Sequence, residues 1–332
     1  MLVAPKKFEL IEEEIPRLKD DEVLYKTISV GLCHSDVPAY RGTSAMGFGN
    51  RHGYDAMIKN VEYPMGIGHE PVCVVEAVGK NVKDFKEGDL VTGDLSQCIA
   101  THNIAANAQM MKIPATSKPI DACLGEPMMC VTNIVRAVEP KLGDQVAVIG
   151  CGFMGLMVIA GLRSRNLGDI VAIDLDNNRL ELAKKYGATK TLNPREVDVE
   201  EAAYEITKGR MFDCSVEITG SLKGLATALS IAKIAGRGKI LAPSVYSKGE
   251  VFTEEMAYNM MYRSPIIHVV HPQYTNEYMY VLDKAVEAYV KDVYPTEQLI
   301  SHRIPFEETA RGFELLEASP AEFIKGIITF DA

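Results

Sequence analysis

The feature that most limits the fold is a glycine run, Gly150, Gly152 and Gly155, set directly behind the apolar segment Val146 to Ile149 and directly ahead of a helical run that starts at Phe153. A chain turns that sharply out of a buried strand into a helix only where side chains are missing. The helix N-terminus so formed offers backbone N–H groups and a positive dipole end to an anion. Asp174 ends the next apolar run, nineteen residues after Gly155. A carboxylate there accepts both hydroxyls of an adenosine ribose and repels a 2′-phosphate, so the pattern predicts a dinucleotide site that takes NAD over NADP, with Arg179 lying along the adenosine.

Around this unit short β-rich runs alternate with helical ones: Gln145 to Gly150, Ile170 to Asp174, a weaker run at Thr189 to Leu192, Phe212 to Ile218, Lys239 to Ala242 and Ile266 to Val270. Amphipathic stretches such as Arg179 to Tyr186 and Leu222 to Ala235 lie between them. That order predicts an α/β fold with a doubly wound parallel sheet of the Rossmann type. Before it, Met1 to about Pro119 is rich in Gly and Pro and reads as mostly β, with strands at Glu22 to Val30 and Pro71 to Val78 and turns at Glu87 to Asp89. After it come a helix near Glu277 to Lys291, the segment Ile304 to Leu316 and a last strand at Gly326 to Phe330. At 332 residues the chain exceeds what one core usually fills. The expected division is a catalytic domain of residues 1–126 and 269–332 with a Rossmann domain of residues 127–268 inserted in it. No internal repeat is present.

A net charge of −10 without any Lys/Arg-rich run removes the electrostatic drive toward phosphate backbones or anionic lipid, so nucleic acid and membrane are excluded as expected partners. No apolar run reaches about eighteen residues, and the acidic, strand-like start, Met1 to Glu14, lacks the basic and then apolar pattern of a signal peptide. Seven cysteines at scattered positions fit reduced thiols better than a disulfide framework. The expected setting is the cytoplasm.

Three glycine-containing stretches upstream bear metal-ligand chemistry: Gly31 to Asp36 with Cys33, His34, Ser35 and Asp36; Gly68 to Glu70 with His69; and Gly125 to Pro127 with Glu126. Any one of these residues is more often structural than a ligand. Thiolate, imidazole and carboxylate together, with one position open, are what a catalytic zinc takes.

With these motifs in this order, the chain resembles the zinc-containing medium-chain dehydrogenase/reductase family of alcohol, sorbitol and threonine dehydrogenases. The resemblance runs over nearly the whole length, from the Cys33 segment through GHE at Gly68 to Glu70, Glu126-Pro127 and the glycine fingerprint to Ile324-Lys325. It implies a GroES-like catalytic domain, Cys33 and His69 as zinc ligands, Glu70 as ligand or exchangeable near-ligand, and Glu126 where one branch places a second cysteine and the polyol and threonine branch a glutamate. It further implies that Asp36 orients His69, that Lys325 meets the cofactor pyrophosphate, that Phe153, Met154 and Thr219 join the cofactor contacts, and that subunits associate as homodimers or homotetramers, with the edge near Ile266 to Val270 as interface. Two departures stand out. Many relatives carry four closely spaced cysteines for a structural zinc, but Val91 to Pro114 contains only Cys98, which implies one catalytic ion per subunit and no structural zinc. Pro38 occupies the place of a relay histidine often found five residues after the first ligand.

These expectations add up to hydride transfer between NAD(H) and a polar secondary alcohol or ketone, a polyol, sugar or related compound, with zinc acidifying the hydroxyl and Ser35 receiving its proton. The polar segment Thr43 to Pro64, which includes His52, lies either beside the substrate cleft or on an ordinary surface loop. A zinc-free NAD(P)H-dependent reductase of the same fold, separable by metal analysis, and a catalytically inactive NAD-binding regulatory protein, separable by a substrate panel, are the competing readings.

Overall fold

The structure is a computed structural model and describes residues 1–43, 45–46, 58–59, 61–234, 238–244, 246, 249–270 and 277–331. The chain opens with an antiparallel pair, β1 (Leu2–Ala4) and β2 (Lys7–Phe8). The strand-like reading of the N-terminus holds only that far. Three successive glutamates, Glu12 to Glu14, followed by Pro16 disfavour pairing, and residues 9–17 are irregular and exposed.

Next come β3 (Glu22–Gly31), a 3-10 turn at His34–Asp36, α1 (Val37–Arg41), the pair β4 (Ala45–Met46) and β5 (Ile58–Lys59), β6 (Glu70–Val78), β7 (Leu90–Gly93), β8 (His102–Ala106), β9 (Met110–Lys112) and α2 (Gly125–Val138). In β3 alternate residues Val23, Tyr25, Thr27 and Ser29 are buried, the period-2 signature of a half-covered strand. Its last residues, Val30 and Gly31, are buried on both faces as the strand reaches the interior. Pro38 sits in the first turn of α1, where a missing N–H costs nothing.

The second half of the chain alternates strand and helix: β10 (Val146–Ile149), α3 (Phe153–Leu162), β11 (Ile170–Ile173), α4 (Asn177–Tyr186), β12 (Lys190–Leu192), α5 (Val199–Ile206), β13 (Cys214–Glu217), α6 (Leu222–Ser230), β14 (Lys239–Leu241), α7 (Glu254–Arg263) and β15 (Ile266–His268). The chain then finishes with α8 (Tyr278–Val290), α9 (Thr296–Leu299), β16 (His302–Pro305), α10 (Thr309–Ala318) and β17 (Gly326–Thr329).

Residues 128–281 and 292–295 form one compact unit. Its six strands are all parallel in the order β12-β11-β10-β13-β14-β15, with the order reversing between β10 and β13. Strands β10 and β11 are wholly buried, which explains their uninterrupted apolar sequence. Every α3 residue except Met154 is buried. Side-chain caps start four of the helices: Asp176 accepts from the Asn178 and Arg179 amides, Asp198 from Glu201, Ser221 from Lys223 and Thr253 from Met256. α6 ends at Ser230, short of the expected Ala235, because the Phe212 amide donates to Ile231 O and the Lys233 amide to Phe212 O. Ala235 lies outside the described residues.

Residues 1–127, 282–291 and 296–332 form the other unit. Its main sheet runs β16-β17-β3-β6-β7-β9, with β8 also paired to β3. The terminal strand β17 therefore lies between β16 and β3, antiparallel to the latter. Val23, Tyr25, Cys73, Val75 and Phe85 pack one core cluster, and Leu2, Leu32, Tyr40, Phe313 and Ile328 another. Among the described residues no helix is long and apolar enough to cross a membrane.

Candidate metal centre and dinucleotide site

Strands β3 and β6 run antiparallel with Gly31 opposite Glu70. The end of one and the start of the other therefore meet at the same end of the sheet, so Cys33, two residues past β3, comes beside His69 and Glu70. One ligand atom from each of these three lies within 4.8 Å of the other two. Gly68 makes the approach to β6 possible: its φ of +90° suits glycine, and a Cβ there would meet Ile99 at 2.7 Å. The Cys98 and Ile99 amides donate to Gly68 O at 3.2 Å and Ile67 O at 3.1 Å, pinning the segment that leads into His69 and Glu70 from the other side.

Ser35 Oγ donates to Cys33 Sγ at 3.2 Å and stands 3.4 Å from His69 Nε2. Asp36 Oδ1 lies 3.3 Å from His69 Nδ1 and so turns Nε2 toward the cluster. Burial alone would lower the His69 pKa, but Asp36 and Cys33 outweigh it and hold the imidazole well above its usual 6.5. Cys33, Asp36 and Glu70 thus concentrate acidic groups around one point, a field that favours a cation. A thiolate, an imidazole and a carboxylate suit zinc in particular.

Lys325 is 5% exposed and its ammonium donates to Glu70 Oε2 at 2.5 Å and to Leu32 O at 2.9 Å. Burial pushes its pKa down, but Glu70, with Cys33 and Glu126 also contributing, pushes harder and the lysine keeps its proton. The ammonium expected at a pyrophosphate is here engaged with a carboxylate of the candidate metal centre. Glu126 lies in the first turn of α2, close enough to Lys325 to act on it, yet outside the group of three. His52 and most of Thr43 to Pro64 lie outside the described residues.

In the parallel sheet the glycines divide three tasks. Gly150 has a φ of +99°, a Cβ on Gly155 would collide with Gly150 O, and a Cβ on Gly152 would have nothing within 4 Å among the described residues. The protein's own packing therefore gives no reason for glycine at 152, whereas a ligand lying on the turn does. Asp174 braces the turn: Oδ2 accepts from the Cys151 amide at 2.7 Å and Oδ1 from the Asp176 amide at 2.9 Å. Arg179 Nε is buried without a hydrogen-bond partner among the described residues. Phe153 is buried and Met154 half-buried. Thr219 packs under the turn, its Cγ2 at 2.9 Å from where a Cβ of Gly150 would stand.

Sequence reasoning missed the buried Glu217 and its partner Tyr246 in this unit. A lone acid inside the apolar run Cys214 to Ile218 was the available signal.

A parallel sheet with a glycine turn at its order reversal, and a β unit that gathers a cysteine sulfur, an imidazole and a carboxyl group, define the class of metal-dependent nicotinamide dehydrogenases. The comparisons with known proteins agree. Residues 19–116 match the alcohol dehydrogenase GroES-like domain and residues 154–270 the zinc-binding dehydrogenase domain. L-threonine 3-dehydrogenase of Bacillus subtilis (strain 168) is 27% identical over 338 residues, covering 93% of this chain and 92% of that one. Sorbitol dehydrogenase of the same organism is 29% identical over 268 residues, covering 71% and 72%. In three dimensions galactitol-1-phosphate dehydrogenase from Escherichia coli superposes with a TM-score of 0.81 at 21% identity, covering 96% of each chain. The chain belongs to the zinc-dependent medium-chain dehydrogenase/reductase family.

Proposed function

We propose that the protein is an NAD-dependent dehydrogenase of a polar secondary alcohol, a polyol, sugar or related compound, working with one zinc ion per subunit. The observation that carries this reading is the convergence of Cys33, His69 and Glu70 within 4.8 Å, with Ser35 touching two of them. Cys33 and His69 would hold the ion together with Glu70 or Glu126. When bound, zinc supplies Lewis-acid polarisation of the substrate oxygen. Asp36 keeps His69 oriented for ligation, and Ser35 Oγ is placed to receive the hydroxyl proton. With Pro38 in the position of a relay histidine, that proton leaves Ser35 by solvent, ribose or another side chain.

Asp174, at the end of β11, supports NAD over NADP. Its carboxylate holds the glycine turn and would repel a 2′-phosphate. Gly150, Gly152, Gly155, Phe153, Met154, Arg179 and Thr219 complete the expected cofactor surface, and Lys325 reaches a pyrophosphate only by leaving Glu70. Glu126, matching the polyol and threonine branch, together with the names of the sorbitol and threonine relatives, supports a polar substrate. The edge strand β15 exposes Ile266 and Ile267, with Tyr258, Met261 and Tyr262 of α7 also exposed, which supports association through this face into a homodimer or homotetramer. A cytoplasmic setting accords with free thiols at every cysteine. Turnover with NAD across polyols, aminoalcohols and simple alcohols, alongside zinc analysis, tests the whole. Turnover by fully zinc-free protein would defeat it.

A further inference from the structure

Glu217 ends β13 fully buried, at 0% exposure. It is paired in register with Ile149, the last residue before the glycine turn. Its Oε1 accepts from the Thr219 amide at 2.8 Å and from Thr219 Oγ1 at 2.5 Å, and its Oε2 accepts from Tyr246 Oη at 2.8 Å. A carboxylate so deep in a sheet is costly unless its lone pairs are filled, and here three donors fill them. Burial first, and then Glu217 itself, push the Tyr246 hydroxyl well above its usual pKa, so it remains a donor. Helix α6 approaches closely because residue 224 is glycine: a Cβ there would collide with Glu217 Oε1 and Thr219 Oγ1. Thr219 in turn fills the space beside Gly150.

We propose that Glu217 is a positioning residue for the dinucleotide, clamping Thr219 with the help of Tyr246 so that the turn bearing Gly150 and Gly152 is held ready before the cofactor arrives. The inference rests on reading that turn as the cofactor site. Strand order places it well. β13 lies on the opposite side of β10 from β11 and Asp174, so a dinucleotide anchored at Asp174 and crossing the turn continues over the end of β13. A preformed turn spares the ordering cost of binding, and that saving appears as cofactor affinity.

The test compares three substitutions and one control by NADH fluorescence titration, each well below the variant's own melting temperature. Glu217→Leu keeps the bulk but removes every acceptor, and its Kd for NADH is expected to rise about tenfold or more, with kcat at saturating cofactor within about threefold of wild type. Glu217→Gln retains an oxygen for Thr219 and is expected within about threefold of wild type, a rescue that simple packing would not give. Tyr246→Phe, which removes one donor and leaves Thr219 clamped, is expected between the two. Gly152→Ala is the control, because its methyl group meets no atom of the described residues and so is expected to obstruct only a ligand. Loss of binding in Gly152→Ala with wild-type affinity in Glu217→Leu overturns the clamp while sparing the cofactor site. Wild-type binding in Gly152→Ala overturns the reading of the turn, and the clamp with it.

Discussion

Gly31 and Glu70 face each other across β3 and β6, and the missing side chain of the first is what makes room for the carboxylate of the second: a Cβ on Gly31 would overlap Glu70 Oε2. That oxygen also receives the Lys325 ammonium. Gly31→Ala must therefore push the carboxylate out of the cluster. Overpacking costs about 1–3 kcal/mol, and zinc affinity is expected to fall about tenfold or more. Chelator competition and denaturant unfolding measure the two effects, and unchanged zinc affinity would show that Glu70 contributes nothing to the centre.

Cys33→Ser is expected to strip the zinc and nearly all turnover while NADH binding persists. Wild-type protein, cleared of adventitious metal, is expected to retain one zinc per subunit. Elemental analysis with NADH titration decides the matter, and either two tightly held ions or an active metal-free variant contradicts the proposed centre.

Lys325→Met leaves Glu70 buried without its ammonium. Breaking such a pair from one side typically costs about 3–5 kcal/mol, whereas removing both charges costs far less. The double variant Glu70→Gln with Lys325→Met is thus expected to recover most of the lost stability, and the metal-free proteins should be compared by urea unfolding. Strict additivity of the two single effects would mean that the pair is not coupled.

Asp174→Ala is expected to lower the preference for NAD over NADP by about tenfold or more, since it removes both the ribose acceptor and the repulsion of a 2′-phosphate. The ratio of kcat/KM for the two cofactors is the readout. A wild-type preference for NADPH would dispose of the Asp174 argument altogether.

Thiol labelling should follow burial. Desolvation raises Cys73 and Cys98 well above the usual thiol value and Cys123 and Cys214 to about 12, so these remain protonated and inert at pH 8. Half-buried Cys33 is expected to alkylate first in metal-free protein and to be shielded by zinc, as read by peptide mass spectrometry. Cys151, the fifth buried cysteine, is raised by burial in the same way; as the pH rises these buried thiols gain reactivity only near their raised values, and early modification of Cys98 would contradict its buried place in the fold.

The parallel sheet was legible because strands buried on both faces must be apolar throughout, as in Val146 to Ile149 and Ile170 to Ile173. Only their ends shifted, where local hydrogen bonds such as those tying Thr219 to Glu217 close the strand early. The ligand candidates were legible because each stands within two residues of a glycine, Gly31, Gly68 or Gly125. The contact of Lys325 with Glu70 joins residues 255 positions apart, and no local pattern announces it. Position 126 shows the same limit: its residue type was readable, but its distance from Cys33, His69 and Glu70 depends on how α2 begins.

The 98–99 segment carries a wider consequence. Cys98 is fully buried, and its amide and that of Ile99 donate to Gly68 O and Ile67 O, so side-chain burial and two backbone links hold this lobe against the β6 approach. With the one zinc per subunit proposed above, a scaffold held this way is expected to keep its fold when zinc is withdrawn. Activity is then expected to track the metal supply reversibly, falling as zinc is withdrawn and returning on resupply without a new round of folding.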